Sequence, residues 1–407
     1  MAEFLILKTA EEARAILDGF SPLGLEEVTL ENADGRVLAA PIRAPEDLPA
    51  WPRAVMDGYA VRARDTFGAS DAVPAFLRAL GSVAMGESWT GPPPAAGQAL
   101  AVPTGAVVPE PCDAVVMIEY TQTGAGEEVE IHRPVAPGEN LSRPGDDVRR
   151  GDLLLDAGRR LRPADVGALA ALGVLAIAAN RRPRVAVLST GNEVVPPEIT
   201  PRPGQVRDVN AWILAAQARR AGCDVVRGGI VGDDAAALLT RSAELLAEAD
   251  VLLLSGGSSV GVRDLTAGVL EALGAEILFH GISVRPGKPT ILARLGPKPI
   301  LGMPGVPASA TVIFDAFVRP MLWRLGGEVG RDPWPARRRA RLARRVPSVA
   351  GREDYVRVRL AADGRAEPVL GGSSALSTLV RADGLLIVPA EAEGIAEGED
   401  IEVCLST

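Results

Sequence analysis

Glycine, serine and carboxylate residues gather in four short segments of this chain. They are Ser189-Thr190-Gly191-Asn192-Glu193, Val231-Gly232-Asp233-Asp234, Ser255-Gly256-Gly257-Ser258-Ser259-Val260-Gly261 and Met303-Pro304-Gly305-Val306-Pro307. The third carries the clearest chemistry. It follows an apolar run and precedes a helical pattern, so its glycines allow close backbone approach while its N–H groups and serines cradle an oxyanion. A plain tight turn is the competing reading. Glu193, Asp233 and Asp264 are expected on three loops of the same rim. Carboxylates beside an anion repel it unless a hard cation bridges them, and Mg²⁺ on one or two carboxylates plus substrate oxygens is the usual arrangement. Taken singly, Asp264 reads equally as a helix cap, as do Asp233 or Asp234.

Two further segments offer cations and hydroxyls. Arg285-Pro286-Gly287-Lys288-Pro289 places two cations after an apolar strand. Only Lys8, Lys288 and Lys298 are lysines among 43 basic residues, so Lys288 suggests a need for a compact ammonium on a phosphate or other oxyanion oxygen. The alternative is a surface-turn lysine. Met56-Asp57-Gly58-Tyr59-Ala60-Val61 and Pro103-Thr104-Gly105-Ala106 read, on physics alone, as ordinary turns.

The elements that must position these residues follow from periodicity. Thr9 to Phe20 has a helical face of Ala13, Ile16 and Leu17, and Glu27 to Leu30 reads as a short strand. Short β-like pieces broken by Gly and Pro, such as Ala99–Val102 and Ala114–Ile118, fill residues 49–140. The earlier character resumes after them, with a helix expected over Pro163–Leu172, so residues 49–140 read as an insertion into a unit made of 1–48 and 141–180. Residues 181–326 alternate strands and helices. Arg184–Leu188, Asp224–Ile230 and Val251–Leu254 are buried strands, with caps at Asp208, Asp234 and Asp264 and a last helix over Pro307–Val318. That alternation implies an open, mostly parallel α/β sheet with ligands beyond the strand carboxyl ends. Residues 327–407 return to short strands and turns, which fits a small β-barrel.

Bulk properties narrow the function. A length of 407 residues implies several domains. A net charge of −9 argues against a general nucleic-acid binder. The basic run Arg337–Arg339 to Arg344–Arg345 reads as a solvated face. Cys112, Cys223 and Cys404 lack metal or disulfide spacing and fit buried reduced thiols. No apolar run reaches a membrane span and no signal-peptide pattern opens the chain, so a cytoplasmic protein is expected.

The motifs together resemble the MoeA family, the molybdopterin molybdenumtransferases of molybdenum cofactor biosynthesis. The stretches that carry the resemblance are Met56–Val61, Pro103–Ala106 with Asp113–Glu119, Ser189–Glu193, Gly204–Asn210, Ser255–Gly261, Arg285–Pro289, Met303–Pro307 and Ser374–Pro389. They stand in the family's order over nearly the whole chain. The resemblance implies multidomain α/β plus β architecture: a discontinuous first domain, an inserted β-rich domain, a molybdopterin-binding α/β domain and a C-terminal β-barrel. It implies a homodimer whose site lies between the α/β domain of one protomer and the inserted domain of the other. The implied reaction consumes adenylylated molybdopterin and molybdate and releases AMP, with Mg²⁺ as cofactor. The adenylyltransferase and recipient molybdoenzymes are the implied partners.

In that reading Glu193 and Asp233 position the cation or water. Asp57, Asp264 and Thr104 shape the metal-insertion end, and Arg285 and Lys288 hold the oxyanion. Ser255, Gly256, Gly257, Ser258, Ser259, Pro304, Gly305 and Pro307 hold phosphate and pterin. Two departures from the family pattern stand out. Gly281 and Arg285 occupy positions where many members carry lysine, with Arg263 or His280 as possible compensation, and Val306 replaces a common Asn. Three other readings compete: a tungstate-preferring homologue, a scaffold of the gephyrin C-terminal type, and the adenylylating activity of a related lone α/β domain. The site carboxylates disfavour the scaffold, and the flanking domains disfavour the lone domain.

Overall fold

The computed structural model describes residues 7–124, 126–256, 260–369, 371–372 and 374–405, with the side chains of residues 260–264 outside the description. The N-terminal helix Ala10–Leu17 opens on a capping box in which the Thr9 hydroxyl accepts from Glu12 N–H and the Glu12 carboxylate accepts from Thr9 N–H. Its Ala13 and Leu17 are buried. Segments far apart in sequence then pair: Leu25–Thr29 runs antiparallel to Ala176–Asn180, and Ile42–Arg43 to Leu153–Leu155. Between them in sequence stands a six-stranded sheet with an apolar cluster on each face, one around Leu77, Val116 and Val129, the other around Leu100, Val102 and Val115. Gly58 is required in it. A Cβ there would lie 1.9 Å from the Val116 carbonyl oxygen.

The α/β unit holds six strands: β1 Arg184–Thr190, β2 Asp224–Val231, β3 Val251–Gly256, β4 Glu276–His280, β5 Ile291–Leu295 and β6 Lys298–Met303. Their order is β2-β1-β3-β6-β5-β4. β2, β1, β3 and β6 are parallel, while β5 runs antiparallel to both neighbours. The helices are α1 Asn210–Arg220, α2 Ala235–Glu248, α3 Val260–Ala272 and α4 Pro307–Ile313. β1 and β3 are buried over nearly their whole length, as continuous Val, Ala and Leu runs require when helices cover both faces. Asp234 caps α2 by accepting from Ala237 N–H, and Asp208 accepts from Ala211 N–H at the start of α1.

Two expectations need correction. Asp264 does not cap α3, which begins at Val260, so Asp264 stands within the helix. The last helix does not end at Val318. It passes through a π-helical turn, Phe314–Val318, into α5, Arg319–Leu325. Pro320 lacks an N–H and crowds a regular turn, and the wider turn accommodates it. Burial of Phe314, Phe317, Met321 and Leu322 holds the continuation in place.

The C-terminal strands Arg337–Leu342, Glu353–Leu360, Arg365–Pro368, Gly384–Val388 and Asp400–Leu405 close on themselves, because Glu353–Leu360 pairs with both Arg365–Pro368 and Gly384–Val388. This barrel is sewn to the α/β unit where Val284–Arg285 pairs in parallel with Glu353–Asp354. The N-terminal helix reaches the same seam. Arg14 donates to both Glu353 oxygens at 3.0 and 2.7 Å and to the Tyr355 hydroxyl at 2.8 Å.

Candidate functional site

Ser189 of β1 stands opposite Ser255 of β3, which stands opposite Met303 of β6. One row of the parallel sheet therefore delivers three of the four sequence-selected segments to its carboxyl edge. There a cleft of about 560 Å³ is lined by Ser189, Glu193, Asn210, Ser255, Gly305 and Pro307, among others, and bordered by Ser374 and Leu376 of the barrel. Gly256 also lines it, and a Cβ there would sit 2.1 Å from the Thr190 carbonyl oxygen, so only glycine lets β1 and β3 converge. Pro304 adjoins Gly305 and is buried. Gly257, Ser258 and Ser259 lie outside the described residues, as does the Asp264 side chain.

The fourth segment is clasped to the first. Asp233 N–H donates to the Asn192 side-chain oxygen at 3.1 Å, and Asn192 N–H lies 3.4 Å from the Asp233 carboxylate. Glu193 folds back over Gly191. Glu193 and Asp233 are thus exposed carboxylates on joined loops. Among the described residues no group of three or more His, Cys, Asp or Glu could hold a metal. Glu193 lines the cleft and Asp233 does not; carboxylate oxygens of this kind are the ligands Mg²⁺ takes, with water and substrate oxygens completing its shell.

Arg285 and Lys288 are not brought to this cleft. They line a second one, of about 1030 Å³, between the α/β unit and the barrel. Arg344, Arg345, Arg352 and Arg357 join them there, against one acid among the described residues, Asp354. Arg352 and Arg285 lie 2.9 and 3.7 Å from Asp354. Arg357 has no carboxylate partner among the described residues. It donates to the Gly371 carbonyl at 3.2 Å, its Nε is buried without a partner among the described residues, and burial pulls its basicity below the usual arginine value. Sequence reasoning missed these arginines. Arg344 and Arg345 belonged to the run assigned to a solvated face. Arg357 sits in an alternating strand pattern that shows no cleft on its far side.

Gly281 acquires a physical account, and nothing in the structure explains Val306. Gly281 has φ +116°, and a Cβ there would lie 2.5 Å from the end of Leu7. The Lys8 segment bonds across it, Lys8 N–H to Gly281 O at 3.1 Å and Ser283 N–H to Lys8 O at 2.7 Å. Val306 precedes α4 and supplies no side-chain cap.

Asp57 and Thr104 line neither cleft. They meet each other: Thr104 donates to Asp57 Oδ1 from its N–H at 2.6 Å and its hydroxyl at 2.8 Å. Those bonds hold the Asp57 carboxyl below the usual range. The thiols offer no alternative chemistry. All three are buried and unpaired by disulfides, and burial pushes Cys112 up to about 11 and Cys223 to about 12.

Comparison with known proteins follows this division. Residues 8–173 match the MoeA N-terminal region (domain I and II), 186–324 a probable molybdopterin binding domain, and 339–405 the MoeA C-terminal region (domain IV). The chain belongs to the MoeA family. It is 36% identical to a molybdopterin molybdenumtransferase of Nostoc over 93% of this chain and 88% of that one. It is 34% identical to a putative molybdopterin biosynthesis protein of Methanocaldococcus jannaschii over 94% and 92%. The crystal structure of a molybdopterin biosynthesis MoeA protein from Pyrococcus horikoshii superposes with a TM-score of 0.85 at 37% identity, covering 98% of this chain and 99% of that one. Among the described residues no helix is long and apolar enough to cross a membrane.

Proposed function

We propose that this protein is a molybdopterin molybdenumtransferase that takes adenylylated molybdopterin and molybdate and releases AMP and molybdenum-loaded molybdopterin. The observation that carries the reading is the pairing of two unlike clefts across one helix. Pro307 at the start of α4 lines the serine- and glycine-rich cleft, and Ser309 lines the cation-rich one. The first suits a flat heterocycle with a phosphate. The second suits a dianionic tetrahedral oxyanion, which needs cations and N–H donors.

In this mechanism the β1, β3 and α4 loops hold the pterin and its phosphate, with Ser255 as a donor. Arg285, Lys288 and Arg357 hold molybdate. Glu193 and Asp233 would hold Mg²⁺, which would supply positive charge against the phosphates; water opens the phosphoanhydride, leaving AMP and the pterin phosphate. Each dithiolene thiol that bonds to molybdenum replaces one oxo group, which leaves as water carrying the thiol proton and one proton from solvent. Asp57, oriented by Thr104, supplies a carboxylate at the insertion end, together with Asp264. Because Asp57 and Thr104 line neither cleft, the working site combines two copies of the chain, and the exposed Met56 and Met85 near Asp57 and Thr104 suit a covered surface. The domain division at 1–48 with 141–180, 49–140, 181–326 and 327–407 is part of the same proposal, supported by the strand pairings across the insertion.

The test is reconstitution with adenylylated molybdopterin and either molybdate or tungstate, following AMP release and cofactor formation. AMP release coupled to metal insertion is expected, and the two oxyanion arms establish the preferred metal. AMP release with no metal transfer from either oxyanion would overturn the assignment. Sedimentation alongside it is expected to give a dimer; a fully active monomer would sink the shared site.

A further inference from the structure

Asn210, the first residue of α1, is 7% exposed and lines the serine- and glycine-rich cleft. Its amide touches three walls. Nδ2 donates to Ser255 Oγ at 2.9 Å and to the Gly305 carbonyl at 2.9 Å, with the Pro304 carbonyl at 3.4 Å. Two carbonyl oxygens can face only the NH₂ end, so the amide has one orientation. Two consequences follow. Ser255 Oγ is committed as an acceptor, and its own hydrogen finds no acceptor among the described residues. Among the described residues, Asn210 Oδ1 is buried with no partner, as is the hydroxyl of Ser189 beside Ser255 in the sheet.

Unpaired buried polar atoms are costly, and native structures keep few of them without a reason. A side chain that served only to join loops has no use for a stranded oxygen and a neighbouring hydroxyl with an uncommitted hydrogen. Both make sense if the cleft is finished by its ligand.

We infer that Asn210 is the positioning residue for the anionic end of the pterin substrate: it turns the Ser255 hydroxyl into a donor aimed at a phosphate oxygen and pins the Pro304–Gly305 turn beside it. This rests on the pterin reading of the cleft. Asn210 acts through Ser255, so the two residues form one unit. Removing either should lose the same phosphate contact, and removing both should cost little more than removing one.

The experiment measures binding of two probes to the full-length protein by pterin fluorescence: a pterin carrying a side-chain phosphate monoester, and the same pterin without phosphate. Wild type, Asn210→Ala, Asn210→Asp, Ser255→Ala and the Asn210→Ala/Ser255→Ala double variant are compared, with thermal melts beside them. Asn210→Asp keeps the size but sets an acceptor against the two carbonyls. Each variant is expected to bind the phosphorylated probe roughly tenfold more weakly, the double variant no more than about twice as weakly again, and the unphosphorylated probe almost as wild type does. Wild-type affinity in the Asn210 variants overturns the inference while leaving the pterin reading intact. So do effects that multiply in the double variant, or equal losses for both probes, because those mark a structural role. Failure of wild type to bind either probe overturns the pterin reading, and the inference with it.

Discussion

The hydroxyl and the backbone N–H of Thr104 converge on a single oxygen, Oδ1, of Asp57. Thr104 therefore spends its proton on the carboxylate, and what it offers a substrate in this conformation is an oriented Asp57 rather than a free hydroxyl. The arrangement unites two turns that look ordinary in the sequence.

A pH dependence follows from that pair. The bonds from Thr104 favour the charged form, so the folded carboxyl titrates below its usual value. A depressed carboxyl keeps its charge above its unfolded value and loses it only as pH falls through the folded value. Thr104→Val removes one of the two donors and keeps the N–H. The acid limb of the activity profile is expected to move to higher pH, with the plateau near neutrality reduced less than in Asp57→Asn. An acid limb that stays in place in Thr104→Val removes Asp57 from the titration.

Glu193 and Asp233 give the cation prediction. Both are exposed and sit on loops tied by Asn192. Glu193→Gln and Asp233→Asn keep shape and remove charge, so each should weaken the divalent-cation dependence of AMP release on the order of tenfold or more, with melts unchanged. Undiminished turnover in excess chelator, or in both variants, refutes the assignment.

Much of this arrangement is legible in the sequence, for a physical reason. Buried parallel strands read as unbroken apolar runs, and the rim loops are where Gly, Ser and Asp must appear, so the strands around Arg184–Thr190 and Val251–Gly256 and their loops stand out. Other features are not legible because they depend on what packs against a segment. Arg357 looks like a solvent-facing strand residue until the barrel docks through the pairing of Val284–Arg285 with Glu353–Asp354. Asn210 reads as part of a helix start, and its importance appears only when Ser255 and Gly305 arrive from elsewhere in the chain. The helix continues beyond Val318 because tertiary burial outweighs the proline signal at Pro320.

Arg357 supplies an opposite-signed pair of effects. Its half-buried guanidinium has no carboxylate partner among the described residues, a burial that costs stability in the empty protein and favours an anion in the cleft. Arg357→Met should raise the KM for molybdate roughly tenfold while leaving the melting temperature unchanged or higher. Molybdate dependence and a thermal melt on the same preparation check both signs. A lower melting temperature with an unchanged KM means that the arginine is structural.

Lys288 lies in the same cleft as Arg357 and Arg285, exposed, in a turn bounded by Pro286 and Pro289. Among the described residues its ammonium makes no hydrogen bond or ion pair, in contrast to Lys8, which reaches Glu12 at 3.6 Å, and Lys298, which donates to the Leu246 carbonyl. The other two lysines thus have partners within the fold, and this one is left for something that arrives. An ammonium is compact and turns its three donors freely toward a tetrahedral oxyanion, whereas a guanidinium is larger and directs a fixed fork. Lys288→Arg should therefore raise the KM for molybdate although charge is kept, and Lys288→Ala should raise it further. A charge-assisted contact of about 1.5–3 kcal/mol corresponds to roughly tenfold to a hundredfold for the alanine variant. The measurement is molybdate and adenylylated-pterin dependence of AMP release in both variants, with folding followed by thermal melt. The pterin dependence should stay near wild type, because Lys288 does not line the pterin cleft. If Lys288→Arg equals wild type at every molybdate concentration, charge alone is needed and the ammonium argument is wrong. If Lys288→Ala equals it as well, Lys288 is a surface turn residue and the oxyanion is held by the arginines across the cleft.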